Sequence, residues 1–208
     1  MVSIIEQFGT IDERIEDFNS WKDKLPNYIS KNKPLNPADN ICIVRSRHSE
    51  DKDEVYKEWF YTHNIVTDSG DLYYAQRASG ESPTSVFHTS GTGKQELRTG
   101  SATPAKTNTY TNVTTPVTAS RKNINSGYPK TSDSDSDNTG SGTDIVTWLT
   151  SWTTGDFSAT SIIGGCIHEG GSSPSSATKL LTHWSISSFD KTSSDTLKIF
   201  VNHTFNGV

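Results

Sequence analysis

The sequence predicts a mainly β protein: an antiparallel β-sandwich or jelly-roll-like domain with a short N-terminal helical segment. From about Ser79 onward, short runs rich in Thr, Val, Tyr, Phe and Trp alternate with clusters of Gly, Pro, Asn and Ser, which is the pattern of short strands separated by turns. The last of these runs has apolar residues at every second position, as one face of a strand requires. A helical period is clear only near the N terminus.

The N-terminal helix is predicted from an apolar stripe with helical spacing. The stripe consists of Ile11, Ile15, Phe18, Trp21 and Leu25. Thr10 is suited to cap the helix, with Glu13 three residues further on as in a capping box. Pro26 ends or kinks the helix, and Pro34 and Pro37 make the following residues a connection.

The middle of the chain predicts a hairpin and then a short helix. Ile41 to Val44 form a strand, and the charged sequence SRHSEDKDE forms the solvated tip before VYKEWFYTH. One or two helical turns begin near Asp68 and close at Gly80. This predicts two parts: residues 1–50, with the helix, a connection and a short strand, and residues 51–208, a β-rich domain.

The end of the chain predicts a second hairpin. LLTHWSISSF leads through the polar DKTSSDT into LKIFVNHTF. The alternate residues of the final strand fall on one face: Leu197, Ile199, Val201, His203 and Phe205.

Composition excludes several classes of function. A net charge of −5 argues against binding to nucleic acid or to a membrane surface, either of which needs a basic face. No apolar run approaches the roughly 18 residues that span a bilayer, and the acidic start of the chain argues against a secretory signal. Cys42 and Cys166 lie outside any CxxC spacing, so we expect two buried thiols, with a disulfide or a metal pair as the alternatives.

An acidic loop, TSDSDSDNTGSGTD, is a candidate calcium site. Laid against a calcium-binding loop, the residues that supply ligands are Asp133, Asp135, Asp137, Thr139 and Asp144. Asn138 stands at the sixth position, where the loop requires glycine. The alternative is a solvated turn whose like charges guard the adjacent apolar strand IVTWLTSW against aggregation.

Trp148 and Trp152 are a candidate contact surface. They have the same parity in one strand and therefore lie on one face. Exposed, the pair can stack on sugar rings; packing in the core or at a subunit interface is the favoured alternative.

The sequence predicts no catalytic residues and no cofactor. SGTGKQE is not a phosphate loop, because His88 stands where the first glycine belongs and Gln95 where a Ser or Thr must follow the lysine. The six histidines show no metal-binding spacing. His168 and Glu169 are adjacent in a strand, so they point to opposite faces and form no dyad. His183 and His203 are expected near each other across the last hairpin.

Three segments resemble virion structural proteins of tailed bacterial and archaeal viruses. They are HNIVTDSGDLYYAQRASGE, SGYPKTSDSDSDNTGSGTDIVTWLTSWTTGDF and ATKLLTHWSISSFDKTSSDTLKIFVNHTF, and the resemblance spans about residues 64–205. In order, the three segments resemble a step into a short helix, the central strands and the C-terminal hairpin of those proteins.

The resemblance implies a non-enzymatic virion protein, assembled in the host cytoplasm as symmetric copies. It would decorate the capsid or belong to the neck or tail of a bacteriophage-like particle. The implied partners are copies of itself and other virion structural proteins, with no nucleic acid, membrane or small-molecule substrate. The alternative function is a glycan- or receptor-binding β module with a calcium-organised loop.

Overall fold

The computed structural model describes residues 41–48, 55–88, 92–131 and 145–205. These ranges contain nine strands, one α-helix and one short 3-10 helix. In chain order they are β1 (Ile41–His48), β2 (Val55–Thr62), β3 (Asn64–Val66), α1 (Asp68–Ser79), β4 (Lys94–Arg98), the 3-10 helix (Tyr110–Asn112), β5 (Pro116–Asn123), β6 (Ile145–Trp152), β7 (Ala159–His168), β8 (Leu180–Lys191) and β9 (Thr196–Thr204). The predicted N-terminal helix lies outside the described residues.

The strands form two antiparallel sheets. The first has the order β2-β1-β9-β6, and the second has the order β3-β8-β7-β4-β5. One apolar cluster takes side chains from both sheets, for example Ile199 of the first and Ile167 of the second. The rings of Phe60 and Phe189 meet across it with their centroids 5.3 Å apart. The prediction of a mainly β, sandwich-like fold is therefore confirmed.

The β1–β2 hairpin is confirmed, but β1 continues to His48, through the first three residues of the predicted tip; residues 49–54 lie outside the described residues. Ile41 lies opposite Thr62 and His48 opposite Val55 in one continuous antiparallel ladder. On its other edge β1 pairs with β9, with Ile41 opposite Val201. The strand placed before the predicted boundary at residue 50 is thus an inner strand of the first sheet.

The predicted hairpin of β8 with β9 is wrong. β8 pairs with β3 and β7 in the second sheet, whereas β9 pairs with β1 and β6 in the first. The connection at 192–195 therefore crosses from one sheet to the other, and His183 and His203 lie in different sheets with different partners. The predicted face of β9 is correct, because Leu197 and Val201 both enter the core cluster.

Helix α1 has defined ends and is longer than the one or two turns predicted. The Thr67 hydroxyl accepts a hydrogen bond from the Gly70 amide at 3.2 Å, which caps the start of the helix. The same hydroxyl donates to the Leu180 carbonyl and so ties the helix to β8. The helix ends at Gly80, whose φ of 78° is the left-handed conformation that glycine adopts easily. Tyr73 anchors α1 in the core.

No helix within the described ranges is both long and apolar enough to span a membrane.

Candidate functional site

The predicted calcium loop falls outside the described residues. Its proposed ligands, Asp133, Asp135, Asp137, Thr139 and Asp144, all lie between the last residue described before the gap, Thr131, and the start of β6. Within the ranges that the structure describes, no group of three or more His, Cys, Asp or Glu side chains is arranged to hold a metal ion. Calcium binding stays a prediction.

Trp148 and Trp152 lie in the core and form no exposed contact surface. Their exposed fractions are 0% and 2%. Each indole nitrogen donates a hydrogen bond inside the protein, Trp148 to the Tyr74 hydroxyl and Trp152 to the Ser120 carbonyl, both at 2.8 Å. Neither ring is available to stack on a sugar. The core alternative, which the sequence favoured, is the one observed.

Cys166 and His168, two other polar residues singled out in the sequence, are buried. Cys166 is a free, buried thiol, as predicted, and burial followed by the nearby Glu96 charge raises its pKa well above the usual value. His168 and Glu169 make no pair with each other: the His168 ring faces Glu96, while Glu169 accepts from the Lys179 amide.

Within the described ranges, a group of charged and polar side chains lies on the outer face of the second sheet. Leu97 of β4 points into the core, so its neighbours in the strand, Glu96 and Arg98, point to the opposite face. Both are fully buried there. The segment 99–115, which includes the 3-10 helix, returns over this face and covers them.

Four side chains from four elements meet at the Glu96 carboxylate. We call them the Glu96 cluster: Glu96 of β4, Tyr110 of the 3-10 helix, Arg121 of β5 and His168 of β7. Arg121 Nε lies 2.8 Å from Oε1 of Glu96. The Tyr110 hydroxyl donates to Oε2 at 2.8 Å, and His168 Nε2 lies 3.3 Å from the same oxygen. Arg121 Nη2 also donates to the Tyr110 hydroxyl at 2.7 Å.

The hydrogen on His168 can be assigned from its partners. The Gly170 amide donates to His168 Nδ1 at 3.1 Å, so Nδ1 is an acceptor. The ring hydrogen therefore lies on Nε2, which faces the carboxylate. Of the two carboxylate oxygens, Oε2 accepts the hydrogen bond from Tyr110 and faces His168 Nε2, while Oε1 faces Arg121 Nε.

An irregularity in β5 accompanies this arrangement. Gln95 and Leu97 lie opposite Lys122 and Val117, so residues two apart on β4 face residues five apart on β5. The Ser120 hydroxyl fills the interruption, accepting from the Leu97 amide at 2.9 Å and donating to the Val117 carbonyl at 2.7 Å. The bulge thus keeps the β4 backbone hydrogen-bonded at the point where β5 supplies the Arg121 side chain.

The electrostatics of the Glu96 cluster keep Arg121 charged and Tyr110 protonated. Burial alone would lower the pKa of Arg121, but the hydrogen bonds and charges of Glu96 and Tyr110 raise it above its usual value. Burial and then the Glu96 carboxylate raise the pKa of Tyr110, so the phenol keeps its proton. Because removing charges from water is costly, a buried charge needs close partners, and Arg121 Nε, the Tyr110 hydroxyl and His168 Nε2 all lie within 3.3 Å of the Glu96 carboxylate.

Arg98 and His183 fasten the rest of the 99–115 segment. Arg98 donates to the Gly100 carbonyl, to the Ala102 carbonyl at 3.3 Å and to the Trp184 carbonyl at 3.1 Å. His183 Nδ1 lies 2.7 Å from Asn108 Oδ1, an oxygen that already accepts from a backbone amide. Chemically, these side chains tie a long connection to the sheet.

Glu96, Tyr110 and Arg121 were not predicted as site residues from the sequence, and His168 was considered only beside Glu169. Tyr110, Arg121 and His168 lie 14, 25 and 72 residues after Glu96, so no local motif joins them. One signal was available: Glu96 is the only acidic residue between Glu81 and Asp133. A lone carboxylate in a strand among basic residues predicts a specific internal partner, because a buried charge must be paired.

Comparison of the chain with models of protein families, with curated proteins and with solved structures gives no match.

Proposed function

We propose that this chain is a non-enzymatic structural protein of a tailed-virus virion, assembled as symmetric copies on the capsid or in the neck or tail. The resemblance over residues 64–205 supports this assignment. The single observation that supports it most is the Glu96 cluster. Its carboxylate is fully buried among Arg121, Tyr110 and His168, so it braces four elements and is out of reach of a substrate that needs a base or a nucleophile.

A braced antiparallel sandwich suits a subunit that must keep its shape in an assembly. The partners we propose are copies of this chain and other virion structural proteins, within a particle assembled in the host cytoplasm. Two large apolar side chains are prominent on the described surface, Leu72 at 50% exposed and Phe205 at 48%. Apolar and aromatic side chains of this kind are enriched in the buried centre of protein interfaces.

The alternative of a glycan-binding module loses its aromatic support, because Trp148 and Trp152 are buried. Its other support, the acidic loop, lies outside the described residues. We therefore propose no second function.

Native mass spectrometry of the full chain over a range of concentrations tests the proposal. We expect discrete, symmetric oligomers, since closed symmetric assembly is usual for such proteins. Leu72→Ser should weaken them, and Ala119→Ser, a change at an exposed position of β5, should not. A chain that stays monomeric at every concentration and binds no structural protein of its own virus would contradict the proposal.

A further inference from the structure

An open pocket of about 500 Å³ lies where the two sheets meet beside α1. The three residues of β3, Asn64–Val66, form one wall, and Lys106, His203 and Phe205 contribute to the others. Three consecutive residues of a strand can line one pocket only if the pocket runs along the strand's edge, because their side chains alternate between faces. Among the described strands, β3 is indeed outermost in its sheet.

A chain of hydrogen bonds places a donor in this pocket. Trp148 Nε1 donates to the Tyr74 hydroxyl at 2.8 Å, and that hydroxyl lies 2.5 Å from His203 Nδ1. We assign the hydroxyl as the donor of this second bond, which places the hydrogen of the neutral His203 ring on Nε2. Burial, followed by the charge of Lys106, lowers the pKa of His203 to about 3, so the ring stays neutral. Nε2 is buried and has no hydrogen-bond partner among the described residues.

Asn64 adds a second donor and an acceptor. Its side-chain nitrogen and oxygen are both buried, and neither has a partner in the described part of the chain. Leaving such groups unpaired is costly, about 1–3 kcal/mol each, so the position favours a ligand that satisfies them. A group with one acceptor and one donor side by side, as in an amide, matches the Asn64 amide.

The remaining features of the pocket favour a neutral, partly apolar ligand. Lys106 forms an ion pair with Asp71 at 2.5 Å, so its charge is already balanced. Ile65, Val66 and Phe205 supply apolar wall. Lys106 and Phe205 are each about half exposed, at 55% and 48%. Exposed side chains change rotamer within nanoseconds, which gives a ligand access to the buried donors.

We propose that this pocket binds an extended polypeptide segment of a neighbouring subunit, which runs along the edge of β3. Its backbone amide pairs with Asn64, its carbonyl accepts from His203 Nε2, and an aliphatic side chain fills the apolar part of the pocket. Edge strands bind extended peptides in this way, through main-chain hydrogen bonds with pockets for alternate side chains. The proposal deepens the proposed function, on which it rests, by naming the chemistry of the partner.

An NMR titration of the full chain tests the chemistry of the pocket. The probe is N-acetyl-valine N-methylamide, and the controls are N-acetyl-glycine N-methylamide, which lacks the side chain, and 3-methylbutanoate, which lacks the amide. The valine probe should shift the His203 Nε2 and Asn64 side-chain resonances saturably, the glycine probe more weakly, and the carboxylate not at all. Absence of a response to the valine probe, or an equal response to the carboxylate, would overturn the proposal.

Two leucine variants separate a binding role from a structural one. Gln95 is a matched control for Asn64, because it is fully buried with both amide atoms unpaired and does not line the pocket. Asn64→Leu and Gln95→Leu should each keep or raise stability, since each removes unpaired polar atoms. Only Asn64→Leu should weaken binding of the valine probe, by about tenfold for two lost hydrogen bonds. Equal losses in both variants would refute the assignment.

Cross-linking identifies the source of the segment. Chains labelled with ¹⁴N and ¹⁵N are mixed, assembled and treated with an amine-reactive cross-linker. Cross-links from the exposed Lys106 should join chains of different label. Cross-links only within one chain would show that the chain's own residues occupy the pocket, against the proposal. A failure to assemble would count against the proposed function and leave the peptide titration unaffected.

Discussion

Replacing Glu96 by glutamine removes the charge at the centre of the Glu96 cluster and changes its shape little. The glutamine amide places a donor where Arg121, Tyr110 and His168 now present donors to a carboxylate. Breaking one partner of a buried pair costs about 3–5 kcal/mol. Arg121 is 17% exposed and keeps its bond to the Ser172 carbonyl at 2.9 Å, so we expect the lower end, about 3 kcal/mol.

Urea denaturation followed by tryptophan fluorescence measures this loss, because the buried Trp148 and Trp152 report on the core. For a domain of this size a loss of about 3 kcal/mol lowers Tm by about 6–12 °C. The matched control is Glu169→Gln. Among the described residues the Glu169 carboxylate accepts from the Lys179 amide at 3.3 Å, a bond that the glutamine oxygen can still accept. It should change stability by less than about 0.5 kcal/mol.

Two results would contradict this prediction: a free energy of unfolding of Glu96→Gln within about 1 kcal/mol of the wild type, or an equal loss in Glu169→Gln. Either result would mean that the Glu96 carboxylate is not held by its neighbours in solution.

Three further predictions concern pH, packing and the start of α1. Burial lowers the pKa of His183 to about 4 and of His203 to about 3, so between pH 6.5 and 5 the unfolded chain binds protons that the folded chain does not. The free energy of unfolding should therefore decrease as the pH is lowered, by about 0.7 kcal/mol per unit per histidine near pH 6.5 and about 1.4 kcal/mol near pH 5. A urea midpoint that does not change over this range would contradict this. Gly164→Ala places a Cβ 2.4 Å from a backbone oxygen, so it should lower the free energy of unfolding by about 1–3 kcal/mol or more, as measured by calorimetry. Gly155→Ala, at φ 82° in open space, should lower it by about 1 kcal/mol. Equal losses in the two variants would refute the packing account. Thr67→Ala should lower the free energy of unfolding by about 1 kcal/mol and Thr67→Ser by much less, as measured from urea midpoints. Equal losses in the two variants would show that the hydroxyl does not cap α1.

The fold class and the faces of single strands were predictable from the sequence, because burial imposes a period on each strand. Ile199 and Val201 lie in the core, as their alternation predicted. The pairing of the strands was harder to predict from the sequence. A polar connection in which the Thr192 amide donates to Asp195 Oδ2 at 2.7 Å resembles a hairpin turn locally, yet it joins two sheets. Periodicity identifies the buried face of a strand but not the strand beside it.

The candidate site depends still more on tertiary contacts. Glu96 meets Tyr110, Arg121 and His168 only after β4, β5 and β7 have paired and the 99–115 segment has returned over the sheet. No local spacing encodes such a meeting. The tryptophans were easier, because a large aromatic residue in an apolar strand is usually buried, and Trp148 and Trp152 are.

Native-state hydrogen exchange of the 99–115 segment tests the central claim most directly. The amides of Tyr110, Asn112 and Val113 donate to carbonyls at 2.9–3.1 Å, and the Glu96 cluster holds the Tyr110 side chain to the sheet. If that cluster makes the segment part of one rigid body, these amides should exchange as slowly as those of β4 and β7. Exchange at the rate of an open loop, while β4 and β7 stay protected, would contradict the account.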